Sequence, residues 1–426
     1  VRFTRPHLSA LLTLVVAAGC GARAAPSPSP ADGVEAARTF YRSQPDYLSP
    51  VVLGAEVPAG LPDVRASTCG ACHQEIYAEW KLSTHAHAWL DDLQFQAELH
   101  KPRPDGGDVT WMCVNCHTPL EAQLPRLVTG LRDGRLGQPI YVDNPSYDEA
   151  LQLEAITCAT CHVRDGVVLG PFGDTSAPHP TARSEHLVTE EVCTRCHQAE
   201  ADFPELVLAC SFSTGREFAA SPQADEGRIC QSCHMPEVQR PLVASMPARA
   251  TRRHWFGGSL IPKKPEYEAG LAPLREVYPD GLQVTWGSLP TSAAPGQTVQ
   301  AQLVFRNAFA GHRLPTGDPE RFILVELEVV DEQGTTLSTA RERIGTVFRW
   351  WPDIEKLSDN RLLPGEERTL SVEWTAPEVG SVRVVGRASK WRISAESLEY
   401  HDLVGKVPAS REFWSEARTV PPGRSP

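Results

Sequence analysis

The chain has 426 residues, 41% of them hydrophobic and 22% charged, with 41 Lys and Arg against 53 Asp and Glu for a formal net charge of −12. That length allows two or three domains. The acidic balance excludes nucleic acid as a natural partner, because phosphate backbones are bound through basic surface.

Residues 1–19 carry Arg2 and Arg5, then an apolar run over residues 8–18 broken by Ser9 and Thr13, and end in small residues ahead of Cys20. A basic start, a short apolar core and a small-residue end describe a secretory signal peptide, too short for a stable transmembrane helix. Val1 reads as a translated non-Met start. The approach to Cys20 resembles the lipobox of bacterial lipoproteins, which implies cleavage before Cys20 and lipid on its thiol. Cleavage near Ala24 or Ala25, leaving a soluble periplasmic protein, is the competing reading. Losing residues 1–19 takes the net charge from −12 to −14. No other stretch approaches 18 apolar residues, so lipid alone is expected to hold the mature protein to the periplasmic side or the outer membrane. Residues 20–62 begin with GARAAPSPSPADG and are expected to form a Pro/Ala/Ser-rich tether, with a short helix over residues 34–41.

Between residues 63 and 258 one pattern occurs five times: Cys69/Cys72/His73, Cys113/Cys116/His117, Cys158/Cys161/His162, Cys193/Cys196/His197 and Cys230/Cys233/His234. C-x-x-C-H is the attachment signature of c-type haem. Two thiols add to the porphyrin vinyl groups, and the adjacent histidine is carried beneath the ring to bind iron. A disulfide framework or zinc sites could use paired cysteines too, but neither needs a histidine after every pair. With 14 His in the chain, five such placements by chance have a probability of order 10⁻⁸. Five covalently attached haems c are therefore expected. Roughly forty residues per haem is too little protein for separate globules, so neighbouring rings must share walls. The haem propionates, two per ring, add negative charge. Short helices are expected after the motifs, notably over residues 74–93, with no sustained strand alternation in this region.

Residues 259–281 hold Pro262, Pro265, Gly270, Pro273, Pro279 and Gly281 and read as a linker or wrapped segment. Residues 282–407 contain β-rich runs at 299–306, 321–330, 369–374 and 381–387, bounded by turn signals. The predicted fold is thus a mainly α and irregular multihaem cytochrome domain followed by an all-β immunoglobulin-like sandwich. Residues 408–426 are expected to be a flexible tail.

A second histidine on a haem iron closes the sixth position and favours electron transfer over substrate binding. Four histidines have settings suited to that role. His85 follows Trp80 and Ser83 at the end of a predicted helix; His254 is flanked by aromatics and then Gly257 and Gly258; His179 is held between Pro178 and Pro180; His312 stands in an irregular Gly-His-Arg-Leu-Pro-Thr-Gly segment of the β region. His87 or His186 could supply a fifth. His100 and His401 look solvent-facing, and Cys210, left over after lipid and haem, reads as a small buried hydrophobe.

Residues 69–86 (CxxCHxxxYxxWxxSxHA), 156–166 (ITCATCHVRDG), 229–236 (ICQSCHMP) and 253–258 resemble the cytochrome c-552/4 family of multihaem cytochromes. That family is related in haem packing to hydroxylamine oxidoreductase and pentahaem nitrite reductase. The resemblance covers about half the chain and implies stacked haem pairs with distal ligation at His85 and His254. It leaves three functions to weigh. One is electron transfer between redox protein partners. A second is an oxidoreductase acting on a small nitrogen or sulfur species at a five-coordinate haem, although the C-x-x-C-K motif that commonly marks such a haem in pentahaem nitrite reductases does not occur. The third is a docking scaffold that self-associates.

Overall fold

The computed structural model describes residues 30–50, 52–173, 176–350 and 352–423. The signal sequence and Cys20 lie outside these residues. Among them, no helix is long and apolar enough to cross a membrane.

The first element is the helix Pro30–Arg42, whose opening proline suits a first helical turn. Val34, Ala37 and Tyr41 recur on one face and are buried against Trp111, Leu127 and Val128. The Val128 N–H donates to the Tyr41 hydroxyl at 3.2 Å. On the other side Arg38 makes a two-pronged contact with Glu121, 2.8 Å on each arm, and the Gly54 N–H donates to the same carboxylate. The expectation of a loose tether through residue 62 is therefore corrected: from residue 30 the chain is part of the fold, because the helix carries an apolar stripe that composition alone concealed.

Four of the repeated motifs lie within short helices, Thr110–His117, Cys158–His162, Glu191–His197 and Cys230–His234, while the first runs from the end of the helix Ala66–Gly70 through a turn to His73. Small antiparallel hairpins follow three of the motifs, Arg126–Leu131 with Pro139–Asp143, Gln198–Phe203 with Leu208–Ser213, and, after the last motif, Glu237–Arg240 with Arg249–Arg252. These hairpins are absent from the sequence reading, since their strands are too short for alternation to register. The helix predicted over residues 74–93 also stops early. It spans Gln74–Leu82, and the Ser83 hydroxyl donates to the Trp80 carbonyl at 2.7 Å, taking up one of the orphan groups of the last turn.

The C-terminal region is two antiparallel sheets. One is ordered Leu282–Trp286, Thr298–Asn307, Glu367–Thr375; the other Glu355–Asp359, Thr336–Arg349, Phe322–Val330, Val382–Trp391, Ser410–Val420. Inward residues alternate along the strands, and Leu303, Phe305, Val325, Leu327, Ile344 and Val384 share one core between the layers. Ser410–Val420 pairs with Val382–Trp391 along nearly its whole length. The expected flexible tail is instead an edge strand, with Val420 buried under the core.

Residues 259–281 wrap rather than link. Leu260, Leu271, Leu274 and Tyr278 form a small apolar cluster with Trp255 against it. Polar ties then fasten the two regions together. Asp92 caps the helix Leu93–Leu99 and faces both Lys263 and Arg392, the latter at 2.6 Å. Glu217 bonds Arg361 and Thr316 at 2.7 Å each.

Candidate haem sites

A single helical turn sets the two motif cysteines three positions apart on one face, with the histidine next in line. The motif cysteines are all free thiols. Among the described residues no group of three or more His, Cys, Asp or Glu is gathered as a metal cage, so the zinc reading finds no support in the geometry. Thiols of different motifs lie close enough to act on one another's ionisation: Cys69 with Cys158, Cys116 with Cys196, and Cys193 with Cys230. Attachment points of separate macrocycles thus lie side by side.

Two of the ten predicted anchors depart from this pattern. Cys72 and Cys233 are exposed, whereas the other eight motif cysteines are at least partly covered. Cys72 and Cys233 are the second cysteines of the first and last motifs, and in each of those motifs the thiol contact to another motif is made by the first cysteine, Cys69 or Cys230. The second thiol is left on the outer side, where solvent replaces a neighbouring motif. Exposure of this kind has no local signal in a C-x-x-C-H spacing, which is identical in all five copies.

The motif histidines are oriented through one ring nitrogen. Nδ1 of His73 meets the Leu242 carbonyl at 3.0 Å, that of His117 the Ala88 carbonyl at 2.6 Å, that of His162 the Leu169 carbonyl at 2.8 Å, and that of His234 the Gly257 carbonyl. A carbonyl only accepts, so Nδ1 carries the proton and Nε2 keeps its lone pair for a metal. Burial pushes His117 and His162 below the ordinary range and His197 down to about 4, keeping them in the neutral, ligating form.

Three motif histidines each face a second imidazole. Ring centroids are 6.2 Å apart for His162 and His254, 6.3 Å for His234 and His312, and 6.4 Å for His85 and His197. Two imidazoles on one metal, with bonds of about 2.0–2.1 Å, set centroids roughly 6 Å apart. The spacing fits an iron between each pair.

Each second histidine has its own support. Trp80 donates to the Ile156 carbonyl at 2.8 Å and the Ile156 N–H to the His85 carbonyl at 3.2 Å, while Phe256 packs on the His85 ring at 4.4 Å. Burial takes His85 down to about 3 and His254 to about 4. Glu79, itself buried, receives the His254 N–H at 2.8 Å, Arg240 at 2.7 Å and Arg253 at 2.5 Å. Nothing local in the sequence announces this carboxylate, whose partners lie over 160 residues away. His312 is held by the buried Asn307, which donates to its carbonyl at 3.0 Å, and its Nδ1 meets the Arg313 carbonyl at 2.8 Å.

The other candidates do not meet a motif histidine. His179 lies partly exposed, with Nδ1 3.4 Å from the Pro180 carbonyl. His87 uses Nδ1 on Asp91 at 2.8 Å and Nε2 on the Lys81 carbonyl at 2.9 Å, which leaves neither nitrogen for a metal. His186 pairs with Glu191 at 3.3 Å. His401, expected at the surface, is mostly covered, its side chain 15% exposed near Glu98. Among the described residues His73 and His117 have no facing imidazole. His117 carries the Phe95 ring flat on its face, centroids 3.5 Å apart.

Cys210 lies on the hairpin strand Leu208–Ser213, close enough to Cys113 for its charge to be felt there, and burial pushes its own thiol up to about 11. It is a protonated, packed thiol with no motif partner. Cys210→Ala is expected to leave covalent haem content unchanged by intact mass; loss of one haem would assign it to attachment.

Residues 68–130 match the family described as cytochrome c554 and c-prime. No curated protein matches the chain. A penta-haem cytochrome c552 from Thermochromatium tepidum matches with a TM-score of 0.56 at 20% identity, over 85% of this chain and 100% of that one. PapD-like domain 7 of human CEP192 (TM-score 0.17, 11% identity) covers 34% of this chain with 87% of its own length, a likeness too loose to argue from. The self-complemented fimbrial subunit MyfA of Yersinia enterocolitica, at a TM-score of 0.16 and 14% identity over 33% of this chain and 97% of that one, is no closer. With its free thiol pairs and facing imidazoles, the chain has the fold of a multihaem c-type cytochrome and carries the cytochrome c554 and c-prime signature over residues 68–130.

Proposed function

We propose that the protein is a five-haem electron carrier acting outside the cytoplasm, where c-type cytochromes reside. The observation that carries this reading is the trio of facing histidine pairs, because an iron closed on both sides exchanges electrons rather than binding substrate. Bound haem c supplies a one-electron iron couple. His73, His117, His162, His197 and His234 would be the proximal ligands, His254, His85 and His312 the distal ligands opposite His162, His197 and His234, and the ten motif cysteines the thioether anchors. Thiol contacts between motifs favour close ring-to-ring spacing, and the motif at His197 neighbours two others through Cys193 and Cys196. His179 is retained only as a weaker distal candidate, since no motif ring faces it.

A second reading rests on His73 and His117, which lack a facing imidazole: one of their haems is open and binds a small nitrogen or sulfur species. Optical and electron paramagnetic resonance spectra of the haem-loaded protein separate the two. Wholly low-spin spectra are expected for a pure carrier; a high-spin signal perturbed by nitrite, hydroxylamine or carbon monoxide favours the open site. We read the C-terminal unit as an immunoglobulin-like sandwich that supplies a ligand and a docking face for redox partners or further copies. Cys20 is the proposed lipid anchor, and a Cys20→Ala variant that partitions to membranes unchanged removes it.

A further inference from the structure

Where the two regions meet, a partly covered ion cluster, with Asp92 and Arg392 buried, lies beside two proximal histidines. It contains Asp92, Lys263, Arg392, Asp318 and Arg321. The charges of Asp92 and Lys263 reach His117, and that of Arg321 reaches His197. Three cations thus face two carboxylates. Lys263 and Arg392 are both spent on Asp92. Asp318 is occupied by the Glu320 N–H at 2.9 Å and by the Gln94 amide at 3.4 Å, and burial pushes its carboxyl up toward the neutral acid. Glu320 turns away, accepting from Trp350 at 2.7 Å and Ser397 at 2.8 Å.

Arg321 is left over. Its guanidinium has five N–H donors, and among the described residues its side chain makes one long contact, Nη1 to the Thr316 carbonyl at 3.4 Å. No carboxylate lies within ion-pair distance of it among the described residues. Burial pushes the guanidinium down, Asp318 pulls it up and Arg392 pushes it down again. The loop beneath is built to admit it: Gly317 stands at φ +88, and a side-chain carbon there would sit 3.1 Å from Nη1. Arg321 is half-buried, and a cation held partly out of water with unspent donors is stabilised when an anion meets it.

We propose that Arg321 binds a propionate carboxylate of the haem held at His197 or, alternatively, at His117. The anion is the one chemistry that the cofactor itself brings to this seam, and a guanidinium fork suits a planar carboxylate. The inference rests on the haem reading above. It makes the β region a setter of haem potential as well as a ligand donor, because a cation beside a propionate favours the reduced state.

The test compares haem-loaded Arg321→Met and Arg321→Lys by spectropotentiometric titration, with covalent haem counted by intact mass. In Arg321→Met the reduction equilibrium constant of one haem is expected to fall about tenfold, close to 59 mV for a one-electron couple. Arg321→Lys, which keeps the charge, is expected to move it by less than half as much. A shift in the low-spin His85–His197 signal assigns the propionate to that haem, and a shift in the remaining signal to the haem at His117. Full haem content with every midpoint unmoved in Arg321→Met overturns the inference alone, whereas absence of covalent haem from the parent protein overturns the haem reading. If Arg321→Met fails to load, redox-difference infrared spectra of Arg321→Lys decide. Propionate bands that differ from the parent support the contact; unmoved bands reject it.

Discussion

Replacing His312 with alanine is expected to turn one low-spin haem high-spin while leaving the covalent haem content intact. The thioether anchors and His234 belong to the cytochrome region, whereas His312 arrives from the β region on a loop pinned by Asn307 and seated against Phe218, which lies 3.2 Å from a side-chain carbon placed on Gly311. Attachment and sixth coordination are therefore separable. Carbon monoxide should bind the variant at a haem that is closed in the parent, since alanine cannot reach across the 6.3 Å between the two ring centroids. An unchanged low-spin spectrum would show that another group, or none, faces His234.

The same residue illustrates how far the sequence can be read. All five motifs, the β-rich runs at 299–306, 321–330, 369–374 and 381–387, and the unusual settings of His85, His254 and His312, whose rings face motif histidines, are legible because each signal is local: a fixed spacing, an alternation, or an unusual flank. The observed strands Thr298–Asn307, Phe322–Val330, Glu367–Thr375 and Val382–Trp391 match those runs to within a few residues at each end. What escaped depends on distant partners. The edge strand Ser410–Val420 has mixed polar composition, and it is the register with Val382–Trp391 that makes it a strand. Cys72 and Cys233 carry the same spacing as the covered anchors, and only the placement of neighbouring motifs leaves them exposed. His179, rigid between prolines, looked like a ligand, yet stiffness in the chain does not bring a ring to a metal. Arg321 reads as an ordinary charged residue before a strand until its missing counterion is noticed.

Glu79→Ala is expected to be the most disruptive substitution outside the motifs, costing about 3–5 kcal/mol, the range for stripping one partner from a buried ion pair. Arg240, its side chain only 3% exposed, would keep Thr251 at 3.0 Å and the Arg252 carbonyl at 2.8 Å but lose its close carboxylate, leaving only Glu75 at 3.9 Å. Glu79→Gln keeps an acceptor for the His254 N–H and should cost less, though both arginines would still lose a charge. The consequence reaches the haem ligands, because Glu79 sits on the helix Gln74–Leu82 that leads into His85 and simultaneously holds the chain of His254. A single carboxylate thus ties together the placement of His85 and His254, the proposed distal ligands of two different haems. His85→Met should alter one low-spin signal; Glu79→Ala should broaden two together and lower the denaturant midpoint of the haem-loaded protein. A loss smaller than about 1 kcal/mol, with both signals intact, would reduce Glu79 to a replaceable surface-type pair and detach the two ligands from one another.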